Sequence, residues 1–192
     1  MDEDMLQFGE SDIQELVGRI QQGETDLFGR IFDMFADRIF RFAYLRIGDR
    51  EEAKDVTSEV FLGAYQSLPR YRFQAKAKFS TWLFSIARRV VANHYRQGDK
   101  RRKDLGLEGI AAVVSDDSAS DLDKVGTKLE YEGVIQHLKG LPPDIREALT
   151  LRFIEELDYP EIEEITGKKQ NHIRVLVHRG LKQLKEKLNG QV

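Results

Sequence analysis

The stretch RYRFQAKAKFSTWLFSIARRVVANHYRQGDKRRK, residues 70–103, decides how this chain is read. It holds eleven Lys or Arg and one acid, Asp99, interleaved with six aromatics: Tyr71, Phe73, Phe79, Trp82, Phe84 and Tyr95. Cations neutralise phosphate and release its counterions, and aromatic faces hold unstacked bases. A solvated basic helix with ordinary core aromatics has the same composition. Leu83, Ile86, Ala87 and Val90 recur at helical spacing and predict a buried face, with Arg88, Arg89, Asn93 and Arg96 on or near the other side. Residues 70–80 lack a period and predict a loop, with Ser80 or Thr81 capping the helix that follows.

Working outward, the charge distribution says more than its sum. The 192 residues carry a formal net charge of −3, which alone does not suggest a nucleic-acid binder. Yet residues 1–69 carry fifteen acids and seven bases, and residues 104–123 carry six acids and no bases. Residues 168–192 carry seven bases and one acid. Positive charge is thus gathered into two blocks flanked by acidic sequence.

Upstream, Ser11 and Gln14 have capping-box spacing before the apolar face Ile13, Leu16, Val17 and Ile20, and Gly23 is a stop. A second helix is predicted over 26–47, striped by Leu27, Phe28, Ile31, Phe32 and Phe35 and ended by Gly48. Asp49 and Glu52 open a third, with Ala53, Val56, Val60 and Ala64 on one face and Leu68-Pro69 closing it.

Downstream, residues 105–126 are rich in Gly, Ala, Ser and Asp and lack aromatics, which predicts a flexible linker; the apolar IAAVV at 110–114 has no assigned place. Helical spacing returns from Lys128 with Leu129, Ile135 and Leu138. Asp144 is the expected cap of a helix carrying Ile145, Ala148, Leu149, Arg152 and Phe153. Asp158 and Glu161 frame a capping box around Pro160, and the acids at 155–164 read as a solvated face. A short helix ends at Gly167, and a long one follows with Val177, Leu181, Leu184 and Leu188 as its core stripe. Arg174, His178, Lys182 and Lys185 share a second face of that helix. Short helix, Gly-containing turn and long helix together match a helix-turn-helix.

The expected fold is therefore all-α. It has a helical domain over 10–98, a flexible linker over 99–127 and a helix-turn-helix domain over 128–190. The absence of Cys excludes disulfides and thiolate metal sites. The four His lack metal spacing, and there is no Gly-rich phosphate loop or Ser/His/Asp set, so no catalytic residues, metal, cofactor or small-molecule substrate are expected. The acidic start MDEDMLQF is no signal peptide. No apolar run approaches the roughly 20 residues that span a bilayer, and a cytoplasmic location is expected.

Three motifs resemble the extracytoplasmic-function group of bacterial RNA polymerase sigma factors, within the sigma-70 family. DREEAKDVTSEVFLGAYQSLPRYR, residues 49–72, is similar to the family segment that docks on the largest subunits of core polymerase. FSTWLFSIARRVVANHYR, residues 79–96, resembles the segment that reads and opens the −10 promoter element. LPPDIREALTLRFIEELDYPEIEEITG, followed by IRVLVHRGLKQL, looks like the domain that reads the −35 element. The chain departs from the family pattern at Arg89 and Asn93, where Asn and Asp are usual. It departs again at His172, Val175 and Leu176 in the recognition helix.

The resemblance implies a promoter-specificity factor that is not itself an enzyme. Asp55, Glu59, Val60 and Phe61 would touch core polymerase. Phe73, Lys76, Lys78, Phe79, Trp82, Arg88, Asn93 and Arg96 would touch DNA at the −10 element. Lys168, Lys169, His172, Arg174, Val175, His178, Arg179 and Lys182 would do so at the −35 element. It also implies an anti-sigma factor as antagonist. Two other readings stand beside it: a stand-alone helix-turn-helix transcription regulator, and an all-helical scaffold with no DNA role.

Overall fold

In the computed structural model the described residues are 9–74, 77–104, 137–138 and 140–189, without the side chains of 99–104 and 188. The expected linker from 105 onward, including the 110–114 run, and Lys76 with it, lie outside the described residues. The described helices are α1 (Glu10–Gln21), α2 (Phe28–Ile47), α3 (Arg50–Ser67) and α4 (Phe79–Asp104), then α5 (Pro143–Leu149), α6 (Tyr159–Thr166) and α7 (Gln170–Asn189). Two 3₁₀ turns, Thr25–Leu27 and Leu68–Arg70, and a π-helical turn, Thr150–Ile154, join them.

Helices α1 to α4 form the N-terminal unit. Their apolar faces meet in a core that includes Val17, Ile31, Ile39, Phe42, Val60, Leu83 and Phe84, each with no exposed surface. Phe42 and Phe84 pack edge to face, 5.5 Å between centroids, a geometry that the ring quadrupoles favour. Truncating a buried Phe to Ala costs about 3–5 kcal/mol, so this pair alone weighs heavily against a marginal total. Gly48 closes α2 with φ +81°, a conformation that side chains with a Cβ resist. Asp49 then caps α3, its Oδ1 accepting from the Glu52 amide at 2.8 Å.

The start of α1 differs from the expected Ser11–Gln14 box. The helix begins at Glu10, and the Gly9 amide donates to Asp12 Oδ2 at 2.8 Å. The start of α4 differs as well. Ser80 and Thr81 are buried within the helix, and Glu10 Oε1 of α1 accepts from the Phe79 amide at 2.7 Å. At the other end of the same loop, Gln21 Nε2 donates to the carbonyl oxygens of Leu68 and Tyr71, at 2.8 and 2.9 Å. Helix α1 therefore pins both ends of the 71–78 loop. Helix α4 itself continues past residue 98 to Asp104.

Helices α5 to α7 form the C-terminal unit, around Leu149, Leu151, Ile162, Ile173 and Val177. Pro142 occupies the N-cap of α5, and Asp144 sits inside the first turn rather than capping it. Phe153, expected on the same helix as Ile145, lies on the π-helical turn that follows it and is exposed. The buried stripe of α7 is Ile173, Leu176, Val177 and Gly180, with Leu184 partly buried; Leu181 faces solvent. The stripe is rotated from the expected one because Gly180 lets α7 sit directly on Ile145 and Leu149 of α5. Gly167 ends α6 with φ +71°.

Candidate nucleic-acid and polymerase interfaces

Three surfaces carry the predicted residues. The first is the outer face of α3. Asp55 and Glu59 are exposed on it, one helical turn apart. Val60 and Phe61 are buried, packed into the N-terminal core, because their spacing places them on the opposite side of the helix. They support this surface rather than form it. Two residues that the sequence reading missed, Leu62 and Tyr65, are exposed beside the carboxylates. Phe28 packs on Tyr65 at 5.1 Å, and Phe32 on Phe61 at 4.7 Å, so the face is acidic at one end and apolar-aromatic at the other. Helical spacing from Asp55 and Glu59 would have found Leu62.

The second surface surrounds the 71–78 loop. A cavity of about 300 Å³ opens here, lined by Arg70, Tyr71, Arg72, Gln74, Ala77, Trp82, Ser85 and Glu164. Tyr71 forms its buried wall, with Phe73 edge-on at 4.9 Å and Trp82 at 4.6 Å. Burial, followed by the carboxylates of Glu10 and Glu164, pushes the Tyr71 hydroxyl up to about 12. Phe79 is wholly buried, wedged beneath Tyr71 and Trp82 and against Phe35. It shapes the floor and does not face a ligand, because α4 begins at Phe79 with that side chain turned inward. Lys78 and Arg88 are accessible but paired with acids of the C-terminal unit: Lys78 to Glu161 at 3.2 Å and Arg88 to Glu147 at 3.1 Å. Further along α4, Arg96 donates to Asn93 Oδ1 on the helix exterior.

The third surface is the outer face of α7. His172, Arg174, Val175, His178, Arg179 and Lys182 are all exposed, opposite the buried stripe. Arg174 lies over the Tyr159 ring, 4.7 Å from its centroid, and donates to Asn171 Oδ1. Lys169 is exposed beside Glu163 at 3.5 Å, and Lys168 is half-buried, 3.3 Å from Asp144. A helix that is apolar on one side and cationic on the other can dock on its domain while entering a major groove. Among the described residues no group of three or more His, Asp or Glu is placed to hold a metal ion, and no helix is long and apolar enough to cross a membrane.

Two family models match this order of elements: sigma-70 region 2 over residues 31–101, and sigma-70 region 4 over residues 132–184. The sigma factor SigW of Bacillus subtilis is 30% identical across 92% of this chain and 96% of its own length. BldN of Streptomyces coelicolor is 33% identical across 90% of this chain, which spans 64% of that longer relative. In fold, the chain is similar to the sigma factor RpoE of Bartonella quintana, solved with the anti-sigma factor NepR, at 21% identity and a TM-score of 0.67 over 84% of this chain and 96% of that one. It is also similar to CnrH, solved with the cytosolic domain of CnrY, at 19% identity and a TM-score of 0.65 over 92% of this chain and 97% of that one.

The chain belongs to the extracytoplasmic-function group of the sigma-70 family. Sigma factors are transcription initiation factors that direct RNA polymerase to promoters, a reading favoured over a stand-alone helix-turn-helix regulator.

Proposed function

We propose that the three surfaces divide the work of promoter recognition. Asp55 and Glu59, with Leu62 and Tyr65 beside them, dock on a basic face of core polymerase. Complementary charge steers such encounters, and the apolar half provides buried contact. The 71–82 region takes an unpaired base of the −10 element against Tyr71, Phe73 and Trp82, while Lys76, Lys78, Arg88, Asn93 and Arg96 hold the backbone. Unstacking costs a few kcal/mol, which an aromatic pocket offsets. The outer face of α7, with Lys168 and Lys169 at its entry, reads the −35 element, where a bidentate Arg–guanine pair is worth about 1–3 kcal/mol of discrimination.

The observation that carries this division is the cavity at Tyr71 and Trp82, bordered by Arg70 and Arg72 at the mouth of a basic helix. On this reading the chain contributes no catalysis. It acts in the cytoplasm and is held in check by an anti-sigma factor, a partner class with which the fold relative RpoE was solved. The test is transcription in vitro by core polymerase on a library of genomic fragments. Promoter-specific transcripts that require the chain are expected. Transcripts no different from those of core polymerase alone would overturn the proposal.

A further inference from the structure

Within the C-terminal unit, one aromatic ring gathers two guanidinium groups. Arg152 and Arg174 both lie over Tyr159, 5.2 and 4.7 Å from its centroid. They come from either side of α6 in the chain: Arg152 from the π-helical turn before it, Arg174 from the second turn of α7.

The sequence around Tyr159 fixes that ring. Asp158 is the N-cap of α6 and Glu161 its partner in a capping box, with the Asp158 amide donating to Glu161 Oε2 at 2.8 Å. Pro160 stiffens the same turn. Tyr159 is therefore the first residue of a locked helix start. Arg152 braces it: its Nη1 donates to the Leu157 carbonyl oxygen at 2.9 Å and lies 3.6 Å from Asp158 Oδ1.

Arg174 is exposed but held. Its guanidinium lies over the ring, and its Nη1 donates to Asn171 Oδ1, three residues back on α7, at 3.1 Å. Among the described residues Nε and Nη2 of the planar fork stay uncommitted. Such a fork matches the O6 and N7 acceptors of guanine. An arginine that rotates freely gives up rotamer freedom when it docks, and one already stacked gives up less. N-terminal residues of a recognition helix are the ones that meet base edges, and Arg174 is the fifth residue of α7.

We propose that Tyr159 is a positioning residue for promoter selection: with Asn171 it holds the Arg174 guanidinium in one pose, aimed at a guanine of the −35 element, and so raises base discrimination rather than overall affinity. Tyr159 acts through Arg174 and touches no base. The inference rests on the reading of α7 as the −35 reader.

The probe is a promoter fragment recovered in the genomic-library transcription test, with its −35 element randomised. Core polymerase loaded with the full chain binds it, and sequencing the bound DNA gives a discrimination ratio at each base pair. The variants are Tyr159→Phe, Tyr159→Leu, Arg174→Ala, and Tyr159→Leu combined with Arg174→Ala. Circular dichroism follows the helices.

Arg174→Ala should abolish the preference for guanine at one pair. Tyr159→Leu should lower the same ratio about threefold, the scale of an exposed cation–π contact, and leave binding to a fragment without the element unchanged. Tyr159→Phe keeps the ring and should keep the ratio. The double variant should match Arg174→Ala alone, because both changes act through one group. A Tyr159→Leu protein that keeps the wild-type ratio, or that loses affinity for every sequence alike, would overturn the proposal. If Tyr159→Leu loses helix, Asn171→Ala takes its place by removing the other restraint on the guanidinium, and an unchanged ratio at that pair would be equally fatal. Failure of the −35 reading looks different: no ratio responds to Arg174→Ala or to Arg179→Ala. Ratios that respond to Arg179→Ala alone would remove the role of Tyr159 and leave that reading standing.

Discussion

Gly180 of α7 rests against Leu149 of α5 so closely that a Cβ on it would stand 2.7 Å from Leu149 Cδ1, and 2.6 Å from Ile145 Cγ2. A mid-helix Gly gives up about 1 kcal/mol of helix propensity relative to Ala. Here the contact between helices outweighs that loss, since overpacking costs about 1–3 kcal/mol. Gly180→Ala should therefore lower stability by about 1 kcal/mol despite better propensity, and Gly180→Val by more. Denaturant melts would show this, and a Gly180→Ala protein more stable than wild type would contradict the packing described.

On α3, Asp55→Ala with Glu59→Ala should weaken binding to core polymerase, with the deficit shrinking as salt rises, because exposed charges are screened. Leu62→Ala with Tyr65→Ala should weaken it with little salt dependence. Titration of labelled protein with core polymerase at two ionic strengths separates the two. Unchanged affinity in both would move the docking face elsewhere.

Arg174→Ala with Arg179→Ala should reduce transcription from promoters that depend on a −35 element while leaving core binding intact. The expected loss is about 1–3 kcal/mol of promoter affinity for each base-reading arginine. Gel-shift assays with the assembled holoenzyme on promoters with and without the element would measure it. Equal losses on both would mean that these arginines contact phosphate only.

The hydroxyl of Tyr71, held up to about 12 by burial and by Glu10 and Glu164, gives a pH signature. Its folded pKa lies above the unfolded value of about 10, so the associated stability is complete below pH 10 and is lost as pH climbs toward 12. The loss is at most about 2–3 kcal/mol. Denaturant melts at pH 9 and pH 11.5 should differ by more in wild type than in Tyr71→Phe. The same variant should lack the last phenolate absorbance step in a spectrophotometric titration.

Much of the helical layout was legible because it rests on local signals. Periodic apolar faces, Asp49 before α3, and glycines at 48 and 167 read directly as helices and their ends. Charge clustering and motif order were enough to mark the three surfaces. What was not legible depends on partners distant in sequence. Glu155 and Glu161 read as a solvated face because periodicity records a residue's side of its helix, not what lies across from it. Only the packed units reveal Arg38, Arg41 and Lys78 opposite them. Phe79 and Val60 were named as contact residues although both are core, since motif position does not report orientation. The rotated stripe of α7 depends on Gly180 fitting against α5, which no spacing rule within α7 contains.

Helix α1 acts as a jig for the 71–78 loop. Its two ends hold the loop through Glu10 at the Phe79 amide and through Gln21 at the Leu68 and Tyr71 carbonyls, yet it contributes no side chain to the cavity lining. On the proposed reading, the spacing of those anchors would help set the room left for a flipped nucleotide. If the proposed reading holds, promoter preference depends partly on a helix remote from the bases, and exchanging α1 between related chains should retune which nucleotide fits.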